Sequence, residues 1–381
     1  MKIVHITPHL PPDQAANAIL PAVAGAWSRA RGHEVCYVAH PPAQGGVAVA
    51  PDAGPVTWVP RRDGWSLARL LRIDALQRTR QIGAGLDRVA AGATLLHLHS
   101  NGLLVEAAAI WARRHHIPYV LTLYGTEIWH YEHRWPIDWF ARAYRGAAAV
   151  TFYSRRLMAY AIDSGLGRAG LSVVYPAVPE TFAPRDESTR QAWRQALGIT
   201  EPRLIVNVKR LHELAGQRFL IDAFARVRQT RQDVRLVICG TGALRADLEA
   251  QTAALGLTGS VTFAGLVAND QVARYSAVAD VFALPSLLEA LPTVAVEALA
   301  AGTPVVSADH PGGLELQEIF GDDVTVVPRR DAVTLARALL EALEAGRRAR
   351  PSTPVLMTRL FRPAAIADQY EALYRLIHSG P

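Results

Sequence analysis

Short apolar runs rich in β-branched residues alternate along the chain with longer segments in which apolar residues recur every three to four positions. In the first half, the runs that predict strands are KIVHIT (2–7), EVCYVAH (34–40), LLHLH (95–99), YVLTLY (119–124) and AAVTFYS (148–154). Amphipathic patterns near 17–31 and over 101–116 predict helices between them. Strands that alternate with helices indicate a parallel sheet covered by helices.

The same alternation restarts in the second half of the chain. The predicted strands there are RLIVNV (203–208), VRLVICG (234–240), VTFAGL (261–266), VFALPS (281–286) and PVVSAD (304–309), with helices near 216–228, 243–255 and 293–301. We therefore predict an α/β protein of two doubly wound, Rossmann-like domains that face a central cleft. Ligands of such sheets bind beyond the carboxyl ends of the strands.

The predicted domain boundaries follow from length and local composition. A chain of 381 residues is long for one core, and the turn-rich VPETFAPRDEST (178–189) separates the two alternating halves. We assign residues 1–183 to an N-terminal acceptor-binding domain and 184–360 to a C-terminal nucleotide-sugar domain. The final segment, 361–381, contains an amphipathic pattern that predicts a helix crossing back to the N-terminal domain.

Composition narrows the class of protein. Half of the residues are hydrophobic and 19% are charged, which fits a globular protein and argues against a disordered one. The net charge is +6, but the arginines are dispersed and no nucleic-acid motif is present, so nucleic-acid binding is disfavoured. Cys36 and Cys239 lie in separate apolar strands and are predicted to be core thiols.

The expected location is cytoplasmic. The strand KIVHIT follows Met1 directly, so we expect no signal peptide, and no apolar run reaches membrane-spanning length. The segment 61–83 predicts a basic amphipathic helix with Trp65 near its start. Two interpretations stay open for it: peripheral contact with an anionic membrane, or an arginine-rich outer face over the sheet.

The stretch PSLLEALPTVAVEALAAGTPVV (285–306) carries two carboxylates, Glu289 and Glu297, in apolar surroundings. Charges are rarely placed in such a run unless something compensates them. They are either solvated or capping glutamates, or part of a ligand site where a strand runs into a helix.

Neighbouring strand ends favour the ligand site. Lys209 and Arg210 follow one predicted strand. The glycines of Gly240-Thr241-Gly242, which permit close approach of a ligand to the backbone, follow the next. The backbone N–H groups at the start of the helix near 293 form an anion site, to which Arg210 adds a bidentate charge for a diphosphate. Glu297 can accept hydrogen bonds from a vicinal diol such as a ribose.

The ordered motifs of the second half identify a resemblance. They are R-L (210–211), G-x-G (240–242), F-x-G (263–265), A-D-V-F-x-L-P-S (279–286), E-x7-E (289–297), G-T-P-V-V (302–306) and Gly312-Gly313-Leu314-Glu315. This set resembles the GT-B, family 4 retaining glycosyltransferases. In the first half, R-G-H-E-V (31–35), LLHLHSNG (95–102) and LTLYGTE (121–127) follow the family order more loosely.

The resemblance implies a role for each matching residue. Glu297 would bind the ribose of a nucleotide-sugar, and Glu289 would contact the transferred sugar. Arg210 and the backbone of Leu291, Pro292, Thr293 and Val294 would hold the diphosphate. The loop 11–17, with Ala16 and Asn17, would close over the donor. The catalytic candidates are Glu289, Arg210 and Tyr124; the donor-binding candidates also include Lys209, Gly240 and Gly242.

Several positions depart from the family pattern. Ala215 stands where the family has a lysine after the arginine, so one diphosphate cation is absent. Whether Lys209, which replaces the usual glycine before the arginine, substitutes for it as a second cation beside Arg210 stays open. Ala15-Ala16 replaces a Gly-Gly pair, and Tyr124 replaces a histidine. On the acceptor side, His97 and His99 share one face of a strand, and Glu127 lies at a strand end. Packing and acceptor binding stay open for them.

The expected function is transfer of a hexosyl or N-acetylhexosaminyl group from a nucleotide-diphosphate sugar, UDP- or GDP-linked, to a hydroxyl acceptor. The resemblance implies front-face attack assisted by the donor phosphate, with retention of configuration. No cofactor or metal is expected, since the sequence has no D-x-D pair and no metal-ligand spacing. A non-catalytic nucleotide-sugar-binding protein is the alternative. The resemblance implies a role in natural-product or glycoconjugate biosynthesis. The identity of the acceptor and the oligomeric state stay open.

Overall fold

The structure is a computed structural model that describes residues 1–11, 16–41, 54–60, 73–133 and 136–379. It consists of two compact units. The first unit comprises Met1–Ala177 together with Ala364–Pro381, and the second unit comprises Val178–Pro363.

The first unit is built on a parallel sheet of seven strands in the order β3-β2-β1-β4-β5-β6-β7. The strands are β1 Lys2–Thr7, β2 Glu34–Ala39, β3 Val56–Trp58, β4 Leu95–His99, β5 Tyr119–Leu123, β6 Ala149–Phe152 and β7 Leu171–Val173. The helices are Ala16–Ala30, Ile73–Val89, Leu103–Arg114, Thr126–Trp129, Trp139–Gly146, Arg155–Ala161 and the C-terminal helix Pro363–Ser379, with a π-helical turn at Ile162–Leu166.

The second unit repeats this plan with six parallel strands in the order β10-β9-β8-β11-β12-β13. The strands are β8 Arg203–Val208, β9 Val234–Cys239, β10 Val261–Gly265, β11 Val281–Leu284, β12 Val305–Ala308 and β13 Val324–Val327. The helices are Glu187–Ala196, Gln217–Thr230, Arg245–Ala254, Asn269–Val278, Thr293–Ala300, Pro311–Phe320, Ala332–Ala345 and Ser352–Leu360, with 3₁₀ turns at Glu213–Ala215 and Gly321–Asp323.

The predicted fold class, two doubly wound α/β units, is confirmed. Three strands were not predicted: β3, β7 and β13. Two of them are only three residues long and half-buried, so their side chains show no period from which a strand can be recognised. All three strands lie at sheet edges.

The central strands are apolar because helices cover both faces of each sheet. Every residue of β4, β5, β11 and β12 is buried. Cys36 and Cys239 are free and buried in β2 and β9, as predicted for core thiols. The polar residues that are buried with these strands, such as His5 and His97, are therefore exceptions that need hydrogen-bond partners.

The C-terminal helix Pro363–Ser379 packs against the first unit. Tyr374 is fully buried, and its hydroxyl lies 2.6 Å from Nδ1 of His97. On the same helix, Glu371 pairs with His33 at 2.8 Å and Asp368 pairs with Arg31 at 2.6 Å. These contacts make the last helix of the chain part of the first unit.

The basic segment 61–83 lies only partly within the residues that the structure describes. Residues 61–72, including Trp65, lie outside the described residues, and the helix that the structure does describe begins at Ile73. Among the described residues, no helix is long and apolar enough to cross a bilayer. Membrane contact through this segment stays a prediction.

Candidate active site

Two adjacent strands of the second unit deliver charged residues to one edge of the sheet. Lys209 follows β8, and Glu289 lies in the loop after β11, the neighbour of β8 in the sheet. Because parallel strands end at the same edge, the two loops meet. The ammonium of Lys209 lies 2.5 Å from a carboxylate oxygen of Glu289, and both side chains are largely buried. Two of the predicted site residues, a catalytic candidate and a donor-binding candidate, are therefore in direct contact.

Glu297 lies on the helix Thr293–Ala300, which follows this loop, and its side chain is partly buried. Burial raises the pKa of its carboxyl to about 7. No cation pairs with it and no side chain donates a hydrogen bond to it within the described ranges. A carboxylate that has lost water and gained no partner is poised to accept hydrogen bonds from a ligand.

The start of the same helix leaves backbone donors available. Pro292 occupies the N-cap position, where it provides no side-chain hydrogen bond. The first two helical residues, Thr293 and Val294, are partly exposed, while Leu291 is buried beneath them. The first N–H groups of a helix have no partner inside the helix, and the helix dipole makes this end attractive to anions. The anion site predicted at 291–294 stays a prediction.

Arg210 and Lys209 have different surroundings although they are consecutive. Arg210 is exposed, and its guanidinium makes no hydrogen bond or ion pair with any residue that the structure describes. Lys209 is bound to Glu289 instead. Of the two cations predicted at the diphosphate, Arg210 is the one with its donors still available.

The glycines of the site serve the protein's own backbone. Gly240 has a φ of +140°, and a Cβ there would lie 2.0 Å from the carbonyl oxygen of Lys209. A Cβ on Gly242 would lie 2.2 Å from the carbonyl oxygen of Leu211. The loop after β9 thus packs directly on the segment 209–211. We predicted that these glycines let a ligand approach the backbone; the approach that the structure shows is between two loops of the protein.

Ala215, which stands where the resembling family has a lysine, is completely buried at the end of the 3₁₀ turn Glu213–Ala215. Gly216 follows with a φ of +70°, and a Cβ there would lie 2.1 Å from the carbonyl oxygen of Pro285. The loop after β8 is therefore fixed against the end of β11. It contributes no further lysine to the site.

Two histidines beside the charged pair were not predicted. His310 is fully buried and caps the helix Pro311–Phe320, since its Nδ1 accepts a hydrogen bond from the Gly313 backbone N–H at 2.9 Å. Burial lowers the pKa of His310 to about 4, against the opposing effect of Glu289. The pKa of His212 is also lowered, first by burial and then by Lys209. His310 precedes Pro311 and Gly312, and a polar residue before proline is a helix-start signal that could have revealed it.

The first unit also has polar residues at the carboxyl halves of its central strands. His5 on β1 and His97 on β4 are paired in the sheet register, and His99 lies two residues further along β4. All three are completely buried. His5 Nδ1 lies 3.0 Å from His99 Nε2, and His99 Nδ1 lies 2.8 Å from the hydroxyl of Tyr124. His5 was not among the predicted residues.

The hydrogen-bond pattern indicates which tautomers are present. Nε2 of His5 is buried without a partner. A buried N–H without an acceptor is less favourable than a bare ring nitrogen, so His5 carries its proton on Nδ1 and donates to His99. His99 then donates from Nδ1 to the oxygen of Tyr124. The hydroxyl hydrogen of Tyr124, which is partly exposed, is left free to donate to a ligand.

The second predicted histidine, His97, is saturated by protein partners. Its Nε2 lies 2.7 Å from the Thr122 hydroxyl, and its Nδ1 lies 2.6 Å from the Tyr374 hydroxyl. Burial lowers the pKa values of His97 and His99 well below their usual range, and lowers that of His5 to about 3. The structure places these histidines in the core as neutral rings, which favours packing over acceptor binding.

Glu127 is buried as well, and its carboxylate accepts hydrogen bonds from the backbone N–H groups of Gly125 at 2.8 Å and Tyr124 at 3.3 Å. It therefore braces the turn that carries Tyr124. Acceptor binding, the second of the two roles left open for Glu127, gains no support from this position.

His5, His97 and His99 place ligand atoms within 4.8 Å of one another, a separation that a metal ion could bridge. Their rings are tilted by only 17° to 42° from one another, and each ring of the trio already uses nitrogens in hydrogen bonds. Metal ligands need lone pairs that converge on one point in the ring planes. The cluster therefore fits a hydrogen-bond network better than a metal site. The prediction that no metal is used stays a prediction.

The donor-loop residues Ala16 and Asn17 form the start of the helix Ala16–Ala30. Their side chains, and residues 12–15 before them, lie outside the described residues. Their predicted role stays a prediction.

Comparison with known families agrees with the geometry of the second unit. Residues 189–352 match the family model of the glycosyl transferases group 1, and residues 22–177 match a glycosyl transferase 4-like domain. Together the two matches span most of the chain, which belongs to the glycosyl transferases. The predicted family, GT-B family 4, is thereby confirmed, and the two matched regions fall one in each structural unit.

Curated relatives of this glycosyl transferase include the 2-deoxystreptamine glucosyltransferase of Streptomyces kanamyceticus, 29% identical over 58% of this chain and 61% of that protein. A GDP-mannose-dependent α-(1-6)-phosphatidylinositol monomannoside mannosyltransferase of Mycolicibacterium smegmatis is 31% identical over 53% of this chain and 55% of its own length. The chain thus spans somewhat more than half of the length of these relatives. Among solved structures, Anabaena HepE in complex with UDP has a TM-score of 0.78 at 21% identity, covering 99% of this chain and 100% of that one, which shows a shared fold.

Proposed function

We propose that this glycosyl transferase is an active, retaining enzyme that moves a hexosyl or N-acetylhexosaminyl group from a UDP- or GDP-linked sugar to a hydroxyl acceptor. The observation that carries the proposal is the Glu297 carboxylate, partly buried and unpaired among the described residues, on the helix Thr293–Ala300, whose first N–H groups are uncapped. A nucleotide-sugar has a diol and a diphosphate with the chemistry to satisfy both.

In this proposal, Glu297 accepts hydrogen bonds from the two ribose hydroxyls. The N–H groups of Thr293 and Val294 and the guanidinium of Arg210 bind the diphosphate. Glu289, in the loop that leads into this helix, contacts the transferred sugar. As the bond from the anomeric carbon to the diphosphate breaks, negative charge grows on the leaving oxygen. Donors that are already in place stabilise that charge without reorganising.

The incoming hydroxyl is proposed to attack on the face that the diphosphate leaves, and its proton passes to the leaving phosphate oxygen. Configuration at the anomeric carbon is then retained. This step needs no protein base, and no metal is required because Arg210 and the helix start hold the diphosphate. The catalytic role of Tyr124, whose hydroxyl lies 2.8 Å from Nδ1 of His99 in the first unit, stays a prediction.

UDP is the nucleotide to test first, because HepE has been solved with UDP and with UDP-glucose. An aminocyclitol is a reasonable first acceptor, because the relative from Streptomyces kanamyceticus is a 2-deoxystreptamine glucosyltransferase. GDP-mannose belongs in the same screen because of the mycobacterial relative.

The test is a two-stage measurement on the purified full chain. Binding of UDP-glucose, UDP-N-acetylglucosamine and GDP-mannose is measured by calorimetry, and donor turnover is then followed with 2-deoxystreptamine and with water as acceptors, with and without EDTA. The proposal expects binding, turnover insensitive to EDTA, and a product of retained configuration by proton NMR. Binding without any turnover would instead favour the non-catalytic alternative.

A further inference from the structure

The ion pair between Lys209 and Glu289 has a consequence for the kind of sugar that the donor site accepts. The two charged groups are 2.5 Å apart, with side chains 22% and 15% exposed. They therefore share a site that is mostly closed but still open to a ligand. Resting on the proposed function, we propose that this pair makes the sugar end of the donor site electrically neutral, so that the enzyme selects donors with an uncharged, hydroxyl-bearing sugar over uronic acids and amino sugars.

The surroundings leave the charge of the pair balanced. His310 is buried beside it and is neutral at pH 7, with a pKa of about 4. Arg329 and Asp309, which also act electrostatically on His310, pair with each other at 2.9 Å. Lys209 and Glu289 therefore neutralise one another, and the unpaired charge beside them is that of Arg210, which the proposed function assigns to the diphosphate.

Paired in this way, the two groups still have hydrogen-bonding capacity for hydroxyls. An ammonium has three N–H donors and a carboxylate has two oxygens, and their mutual contact uses one of each. A sugar hydroxyl can accept from Lys209 and donate to Glu289 without separating them. A carboxylate on the sugar would be repelled by Glu289, and an ammonium on the sugar would be repelled by Lys209. Either group would have to separate the ion pair before it could bind the member of opposite charge.

The same ion pair bears on the family lysine in whose place Ala215 stands. Under this proposal, Lys209 does not substitute for that lysine at the diphosphate. The ammonium of Lys209 is already bound to Glu289, whereas the guanidinium of Arg210 is exposed. Lys209 is therefore a specificity-determining residue at the sugar, and the diphosphate depends on Arg210 and the helix start.

The test compares three ligands by calorimetry: UDP, UDP-glucose and UDP-glucuronate. The wild type is expected to bind UDP-glucose about tenfold more tightly than UDP-glucuronate, equivalent to about 1.4 kcal/mol. In Glu289→Gln the lysine loses its partner, and this preference should reverse. In Lys209→Met the advantage of UDP-glucose over UDP should shrink to within about twofold, while the affinity for UDP itself stays the same.

Lys2→Met is the matched control, because Lys2 is the only other lysine of the chain and forms a comparable pair with Glu34 at 3.1 Å in the first unit. It should leave all three affinities unchanged. GDP, GDP-mannose and GDP-mannuronate are measured in parallel.

Two results would overturn the inference alone. One is a tenfold loss of UDP affinity in Lys209→Met, which would make the lysine a diphosphate cation. The other is an unchanged sugar preference in Glu289→Gln. If the wild type binds neither UDP nor GDP, the proposed donor class has failed, and the inference falls with it; the bare nucleotides distinguish that case because they carry no sugar.

Discussion

The two units use the same strand arrangement for opposite purposes at the corresponding edge of the sheet. In the first unit, β1 and β4 bring together His5, His97 and His99, which are completely buried and bind one another or neighbouring hydroxyls. In the second unit, β8 and β11 lead to Lys209 and Glu289, which remain partly open. Polar groups that satisfy each other become structure, whereas groups with unused donors and acceptors can bind a ligand.

The contrast extends to ionisation. Burial lowers the pKa values of the histidines in the first unit, so a fall in pH should destabilise the folded state of that unit. Burial raises the pKa of Glu297 in the second unit to about 7, so a rise in pH should destabilise the folded state of that unit. The following predictions test this difference, beginning with the largest expected effect.

Loss of the exposed cation should have the largest effect on catalysis. Arg210→Ala should lower kcat for donor turnover by about 10²–10³-fold, because a single preorganised donor at a developing negative charge contributes that much. Arg337→Ala, at an exposed arginine that pairs with Glu341, is the control and should be unchanged. Near-normal turnover in Arg210→Ala would show that the diphosphate is stabilised elsewhere.

Glu297→Gln should make the protein more resistant to base. The native carboxyl has a pKa of about 7, so the wild type loses the stabilising effect of its bound proton as the pH rises through 7. Between pH 5 and pH 8, the free energy of unfolding of the variant should gain about 2–3 kcal/mol relative to the wild type.

Urea unfolding at several pH values measures this gain, and Glu341→Gln is the control, since Glu341 is 67% exposed. Parallel pH profiles for Glu297→Gln and the wild type would contradict the unpaired, desolvated state of Glu297.

His5→Phe should make the first unit less sensitive to acid. An unfolded histidine gains a proton below about pH 6.5, whereas native His5, with a pKa of about 3, does not. The wild type should therefore lose about 2 kcal/mol more stability than the variant between pH 7.5 and pH 5. The same urea series provides the measurement. His97 and His99 act in the same direction, so a part of the acid sensitivity should persist, and an unaltered pH profile would mean that His5 is accessible to protons.

The smallest effect concerns ligand binding. If Glu297 binds the ribose hydroxyls as a carboxylate, the affinity for UDP-glucose should rise about tenfold from pH 6 to pH 8, because the group must lose a proton whose pKa is about 7. UDP-glucose is preferred over UDP here since it has no phosphate group that titrates in this range. Calorimetry should show this rise in the wild type and a flat profile in Glu297→Gln; a rise in both would assign the titration to another group.

Much of the fold could be predicted from the sequence because strand and helix periodicities differ and alternate regularly. The predicted strands were found, and the omissions were β3, β7 and β13 at the sheet edges. Edge strands that are short and only partly buried carry little hydrophobic signal. The helix predicted near 293–301 is found at Thr293–Ala300. Gly302 and Pro304, which follow it, are local signals that a helix has ended.

The site was less predictable, because its contacts depend on which strands are neighbours. The order of motifs placed Glu289, Glu297 and Arg210 at one edge of the second sheet, but the Lys209–Glu289 contact requires that β8 lie beside β11. His5 was missed for the same reason. Its contact with His99, which lies 94 positions further along the chain, depends on the register of β1 against β4.

The most direct test of the donor site is a crystal structure of the protein with UDP-glucose. We expect both ribose hydroxyls within hydrogen-bond distance of the Glu297 carboxylate, the diphosphate at the N–H groups of Thr293 and Val294 and at Arg210, and the Lys209–Glu289 pair intact against the sugar. A nucleotide bound elsewhere, with Glu297 turned away from it, would contradict the proposed role of the second unit.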